Sequence, residues 1–362
     1  MRKRTKYTFA LHHWLGLVAG ILILVSSLSG VVLVFDDDID AALFADKATL
    51  AEPAQHLRID ASVARIRQQN PGWDIRVPSL PESADQALRY ELRQGLHKKW
   101  IFVHPETGAE LATINQAHHR LTQLLLDIHY TYLAGLPGKF VVLLVGLSLF
   151  ILTVTGFMLY RRSIWQVLLF RQKFSFKSRR GLFSGLHRTV GVWALLFNLL
   201  MSTSGLVLAY TVLESALKGS PKTITVPPIT ASVDAALQQV RRQYPGFEVT
   251  YLRFPVNAAG QLQLKGRFRS DPVYYGAIYS SVAVNYKTGA VEKTSFLREQ
   301  PLLSRLPLVL QALHFGDYAG YFVKFLYSFF GLMPGILSIS GFLLWKYKQA
   351  AQLTTKARKV SA

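Results

Sequence analysis

The 362-residue chain contains no cysteine. That excludes a disulfide framework, a thiolate metal site, a cysteine-held iron–sulfur cluster and the Cys-x-x-Cys-His attachment of c-type haem. Any metal must be held by His, carboxylate or Met. Acidic residues are missing from three stretches, 1–10, 161–188 and 346–362, which together hold seventeen Lys and Arg. All 21 Asp and Glu lie in the other two polar segments, which are close to neutral. The net charge of +20 is thus sorted by position, as the positive-inside rule produces, and does not mark a nucleic-acid surface. No Gly-x-Gly-x-x-Gly follows a strand pattern, and 161–188 is too short for a flavin or nicotinamide fold.

What is present is hydrophobic length. Half of the residues are apolar, too many for an ordinary soluble chain of this size. Trp14 to Phe35, Phe140 to Tyr160, Thr189 to Leu213 and Phe325 to Trp345 carry no charge, and each is long enough to cross a bilayer core of ~30 Å. The first follows a basic start but is too long for a signal h-region, and Asp36-Asp37-Asp38 is a poor cleavage context, so it reads as an uncleaved anchor. With both termini and 161–188 inside, the two larger polar segments lie outside.

The spans repeat. Leu11-His12-His13-Trp14-Leu15-Gly16 returns as Leu186-His187-Arg188-Thr189-Val190-Gly191, and Ser29-Gly30 returns as Ser204-Gly205 at the same offset. Arg120, His129, Lys139 and Thr155-Gly156 match Arg305, His314, Lys324 and Ser340-Gly341 without gaps. The outer segments are related too. Asp60 to Gly72 and Thr230 to Gly246 each read as an amphipathic helix stopped by Pro-Gly. Short strands and matching turns follow, Pro105-Glu106-Thr107-Gly108 and Tyr286-Lys287-Thr288-Gly289. Apolar helices at Ile114 to Ala134 and Leu302 to Phe315 then lead back to the membrane.

The expected fold is an α-helical membrane protein: four transmembrane helices formed as a duplicated two-helix unit, with two small α+β domains that lean on each other or on the membrane. In order these are an inner N-terminus and first transmembrane helix (1–36), an outer domain (37–113), an interfacial helix and second transmembrane helix (114–160), and a basic inner loop (161–188). A third transmembrane helix (189–213), a second outer domain (214–301), an interfacial helix with the fourth transmembrane helix (302–345) and a basic inner tail (346–362) complete the chain.

The Leu-His-x-x-x-Gly openings, the Ser/Thr-Gly in every span and the helix–Pro-Gly–strand segments between spans resemble the PepSY-associated transmembrane family. Within it, the pattern is similar to iron-regulated inner-membrane proteins and ferric-siderophore reductases. The resemblance covers nearly the whole chain. It implies PepSY-like periplasmic domains, a bacterial inner-membrane location and b-type haem.

Histidine in or beside a membrane span is costly unless partnered. Haem iron in electron transfer commonly takes two axial side chains, often His. The repeat offers two such pairs as haem-iron ligands: His12 with His187 on the inner side and His129 with His314 on the outer side. His13 is an alternative to His12. Helix length puts Gly30 and Gly205 at the outer level, ~27 Å from the inner histidines, and Gly156 and Gly341 at the inner level. These glycines can admit a flat ring or serve only close helix packing. Arg120 and Arg305, with Lys139 and Lys324, bracket the outer pair, and Arg4 and Arg179 precede the inner one. They can meet haem propionates or simply snorkel. His118 and His119 read as a polar surface or substrate contact, and His56, His97 and His104 as surface residues.

Two haems would make an electron path across the bilayer. The expected donor is a cytoplasmic flavin or NAD(P)H reductase, or membrane quinol. The resemblance implies the acceptor, a ferric siderophore or other ferric chelate. Such an oxidoreductase needs no catalytic acid or base. Arg253, Arg267 and Arg269, with Trp100, Tyr274, Tyr275 and Tyr279, suit a polar or anionic ligand. The competing expectation is a membrane-tethered binding or regulatory module without redox activity. A transporter is disfavoured, because the spans carry no charge for coupling.

Overall fold

The computed structural model describes residues 3–172, 175–219, 224–225 and 227–360, with backbone alone for 3–4 and 353–360. Among them, four helical stretches are long and apolar enough to cross a membrane: Thr5–Leu33, Gly135–Tyr160, Leu195–Lys218 and Gly320–Gln352. Their outward positions, such as Val18, Ile21, Leu144 and Leu196, are apolar and exposed, as a lipid-facing surface requires.

Helix α1 (Lys3–Leu33) is followed by the short helices α2 (Asp36–Leu43) and α3 (Ala45–Ala48). Helix α4 (Asp60–Gln69) and strands β1 (Asp74–Val77), β2 (Leu88–Gln94), β3 (His97–Val103) and β4 (Glu110–Ile114) come next. Then follow α5 (Leu121–Thr131), α6 (Gly135–Tyr160), α7 (Ile164–Leu168), α8 (Arg179–Trp193) and α9 (Leu195–Lys218). The last part holds α10 (Val233–Gln243), β5 (Phe247–Arg253), β6 (Leu262–Phe268), β7 (Ser280–Val284) and β8 (Val291–Ser295). It ends with α11 (Leu302–Phe315), α12 (Gly320–Gly331) and α13 (Met333–Val360).

The two polar segments between the spans build one sheet. The eight strands run β4-β3-β2-β1-β5-β6-β7-β8, every described pair antiparallel, and β1 joins the halves through Arg76–Arg253 and Val77–Leu252. Alternation along the strands gives the sheet one apolar face. Ile75, Val77, Leu88, Tyr90, Leu92, Leu252, Leu262 and Leu264 pack there with Val63 and Ile66 of α4 and Val233, Leu237 and Val240 of α10. The two helices cap each other. Asp60 accepts from the Val233 amide at 2.8 Å, and Asp234 accepts from the Ile59 amide at 2.8 Å. The side chain of each helix start thus satisfies amides the other leaves orphaned.

Three sequence expectations are corrected. The helix expected at Ile114 to Ala134 is shorter: β4 runs to Ile114, a 3-10 turn covers Ala117–His119, and α5 begins at Leu121. The third span is interrupted at Ala194 and the fourth at Leu332. Pro334 explains the second break, since its ring clashes with the carbonyl four residues back. Tyr132 and Leu133 take left-handed backbone at φ 46° and 61°. The Tyr132 hydroxyl anchors this reversal on Ser26 Oγ at 2.6 Å and the Leu22 carbonyl at 3.2 Å.

In the bundle, α1 packs on α13 and α6, α6 on α9, and α8 on α13, while α5 lies against α1 and α11 against α9. This arrangement brings the histidines together.

Candidate functional site

The four repeated histidines form two pairs. The rings of His12 (α1) and His187 (α8) have centroids 6.3 Å apart at 88°. Those of His129 (α5) and His314 (α11) are also 6.3 Å apart, at 56°. Each glycine singled out in the sequence lies against one of them. A Cβ built on Gly156 would stand 3.4 Å from His12 Cε1, and one on Gly341 would be 3.5 Å from His187 Cε1. The contacts at the second pair are tighter, 2.9 Å for Gly30 against His129 and 3.2 Å for Gly205 against His314.

The residue before each glycine has a role that the sequence reading did not assign. His12 Nδ1 lies 2.9 Å from Thr155 Oγ1, His187 Nδ1 2.9 Å from Ser340 Oγ, His314 Nδ1 2.9 Å from Ser204 Oγ and His129 Nδ1 3.2 Å from Ser29 Oγ. Every one of these hydroxyls donates its own proton to a carbonyl one turn back: Thr155 to Ile151, Ser204 to Leu200, Ser29 to Val25 and Ser340 to Leu337. A hydroxyl has one proton, so toward the imidazole it can only accept. His129 Nδ1 also lies 3.0 Å from the Ser26 carbonyl, which accepts only. The Ser26 carbonyl requires hydrogen on Nδ1 of His129; with the hydroxyl protons on the helix carbonyls, the same holds for His12, His187 and His314, and no described hydrogen bond uses Nε2. This is how a metal-ligating histidine is set: one nitrogen is fixed by a second-shell acceptor and the other left free.

The ring separation is compatible with one iron per pair. With a metal–nitrogen bond of about 2.0 Å and roughly 1.1 Å from ring nitrogen to ring centre, two imidazoles on opposite sides of an iron have centroids ~6.2 Å apart. Both pairs already stand at 6.3 Å. The His12–His187 pair opens on a cavity of about 590 Å³ lined by His12, His187, Gly16, Gly156, Gly191 and Gly341. That volume lies in the range of cofactor sites. Further along the third span, Asn198 lines the same cavity, is 4% exposed, and has its Oδ1 buried without a hydrogen-bond partner. Such an atom costs about 1–3 kcal/mol unless something in the cavity bonds it. Ile23 holds the corresponding place in the first span, so the repeat gives no sign of Asn198.

His13 lines the cavity too, but its ring stacks on Phe9 at 5.9 Å, and the structure pairs His12, not His13, with His187. The cations at this cavity are Arg180, Arg188 and Lys348. Arg179 is exposed on the first turn of α8, and the Arg4 side chain lies outside the described residues.

The cations that bracket His129 and His314 in the sequence are more committed. Arg120 forms a buried ion pair with Asp40, which also accepts from Thr122 Oγ1 at 2.8 Å, and its guanidinium lies 3.7 Å over Trp100. Its charge is already neutralised. Arg305 donates to the Tyr275 hydroxyl at 2.9 Å, and its Nε is buried without a partner. Lys324 pairs with Asp38 at 2.7 Å and Asp317 at 3.1 Å, and Lys139 lies 5.9 Å from the Tyr130 ring. His118 contacts His97 and His119, with ring centroids 5.2 and 4.2 Å away, yet no group of three or more His, Asp or Glu suited to a metal ion occurs among the described residues.

The family model described as the PepSY-associated TM region matches residues 9–348, nearly the whole chain. No curated protein matches it.

Proposed function

The chain belongs to the PepSY-associated transmembrane family, and we propose that it is an inner-membrane haem b protein that passes electrons outward to a ferric siderophore or other ferric chelate. The observation that carries this reading is the set of four histidines, paired at 6.3 Å, each held at Nδ1 and with no described hydrogen bond at Nε2. A histidine used only for packing has no need of a fixed tautomer in two matched pairs. Bound there, haem supplies a reversible one-electron ferric/ferrous couple.

The protein's own part is to hold and insulate. His12 and His187 would ligate at the inner level, and His129 and His314 at the outer level. Thr155, Ser340, Ser29 and Ser204 fix ring orientation and raise ligand basicity by accepting from Nδ1. Gly156, Gly341, Gly30 and Gly205 give the rings room at Cε1. Arg180, Arg188 and Lys348 suit the carboxylates of an amphiphilic ligand in the inner cavity. No general acid or base is required, because each ferric ion gains one electron and leaves as the more weakly held ferrous ion.

In this reading the duplicated two-helix unit relates the two histidines of each level, and both termini and the basic segments are cytoplasmic. The sheet is then a pair of fused PepSY-like periplasmic domains. The donor is a cytoplasmic flavin or NAD(P)H reductase, or membrane quinol.

The test mixes dithionite-reduced protein, freed of excess reductant, with a ferric chelate and a ferrous-specific dye. Return of the oxidised haem spectrum, with one ferrous ion trapped per haem oxidised, is expected. A reduced haem that ignores every ferric chelate would sink the reductase reading. Protein that takes up no haem would favour the tethered binding module.

A further inference from the structure

The electron path leaves one large feature unused, the polar face of the sheet. Ile75 and Val77, Leu88, Tyr90 and Leu92, and Leu262 and Leu264 all enter the apolar core. Strand alternation therefore sends Asp74, Arg76, Glu91, Arg93 and Lys265 to the other face. A bulge between Val249 and Tyr251 adds Arg253 to that face. The helices carrying the outer histidines dock on it at two flanks. On one, Lys98 Nζ donates to Gln123 of α5, and Arg120 lies over Trp100. On the other, Arg305 of α11 bonds Tyr275, and a Cβ on Gly276 would be 3.3 Å from that of Ala312, two residues before His314.

On this face seven cations, Arg76, Arg89, Arg93, Lys98, Arg253, Lys265 and Arg267, meet three strand carboxylates, Asp74, Glu91 and Glu248. Asp74 serves both Arg76, at 2.5 Å, and Arg253, at 3.0 Å. Glu91 pairs with Arg93. No described ion pair serves Lys265, whose Nζ lies 5.7 Å over Tyr251. Burial, then Arg253 and Arg76, push the Lys265 pKa down, and burial with Arg93 pushes Lys98 down to about 8. Crowding like charges this way is unfavourable by itself, and a bound anion offsets it.

We infer that the ferric complex taken by this protein carries net negative charge, from carboxylate or catecholate donors, and is held against Arg253 and Lys265 above the outer histidine pair. The inference rests on the ferric-chelate reading and narrows it. Three catecholates leave a ferric ion strongly anionic, whereas three hydroxamates leave it neutral, so charge alone separates the classes.

The test uses gallium(III), which keeps the charge and shape of the ferric complex but takes no electron. Equilibrium dialysis of full-length protein in nanodiscs compares gallium citrate and gallium tris-catecholate with a gallium trihydroxamate bearing an ammonium group. The anionic complexes should bind, weaken as salt rises, and lose about tenfold in affinity in both Lys265→Glu and Arg253→Gln at unchanged melting temperature. Equal binding of all three complexes overturns the inference, as does binding of none. So does a face filled instead by anionic phospholipid that co-purifies with the parent and is released by Lys265→Glu. Because gallium is not reduced, a failed charge preference leaves the reductase reading standing, and a protein without haem can still show the preference.

Discussion

Replacing Thr155 by Val removes one hydroxyl and keeps the branched shape. In the parent that hydroxyl accepts from His12 Nδ1 at 2.9 Å while its own proton is held by Ile151 O at 2.7 Å. In the variant the Nδ1 hydrogen loses this acceptor, a cost of about 1 kcal/mol and up to ~3 kcal/mol if it is left unpaired. The ring is then freer to rotate or to move its proton to Nε2, which weakens ligation. Loss of a second-shell partner typically costs ~10–100-fold in metal affinity. The inner centre should weaken by that factor while the outer one is untouched, and Ser204→Ala, at His314, should do the reverse. Haem titration of the apoprotein, followed by the Soret band and the low-spin bands of the reduced form, reads both sites. Unchanged affinity in both variants refutes the tautomer argument. Equal loss at both sites in each variant would show a general folding defect instead.

Other outcomes follow from the same geometry. Alanine at Gly30, whose Cβ would meet His129 Cε1 at 2.9 Å, should disturb its centre most, and alanine at Gly341, at 3.5 Å, least; haem retention across the four variants gives the order. Asp40→Asn leaves Arg120 buried without its carboxylate and should cost about 3–5 kcal/mol, seen as a lower melting temperature with an unaltered haem spectrum. Were Arg120 a propionate partner, the spectrum or potential of the outer centre would move instead. Lys98 is protonated below about pH 8 and neutral above it, so anionic-chelate affinity should be full at pH 7 and fall as pH rises through 8. In Lys98→Arg that fall should disappear.

The repeat made the histidines and glycines legible, because each pair stands at one offset in the chain and an apolar run tolerates few polar residues without a reason. The hydroxyl beside each glycine was visible but not its use, since Thr155 meets His12 only when α6 packs on α1. Arg120 read as a free cation because its partner, Asp40, lies 80 residues earlier and is brought in by α2. The join between β1 and β5 was hidden for the same reason, as nothing local distinguishes an edge strand from one that will find a partner across the membrane spans. Asn198 escaped notice because Ile23 stands opposite it in the repeat, and a position that matters to only one half is invisible to a comparison of halves. The breaks at Ala194 and Leu332 lie in uncharged runs, where hydropathy reports length and not continuity; Pro334 marks the second, and nothing in the structure explains the first.

The most direct measurement is the absorption spectrum of the detergent-purified protein, oxidised and then dithionite-reduced, with a pyridine haemochrome assay for stoichiometry. Two b-type haems per chain are expected, low-spin, with bands that sharpen on reduction; His314→Ala should remove one and keep the other. Protein made with ample haem that shows no Soret band would contradict paired histidine ligation and the electron path built on it.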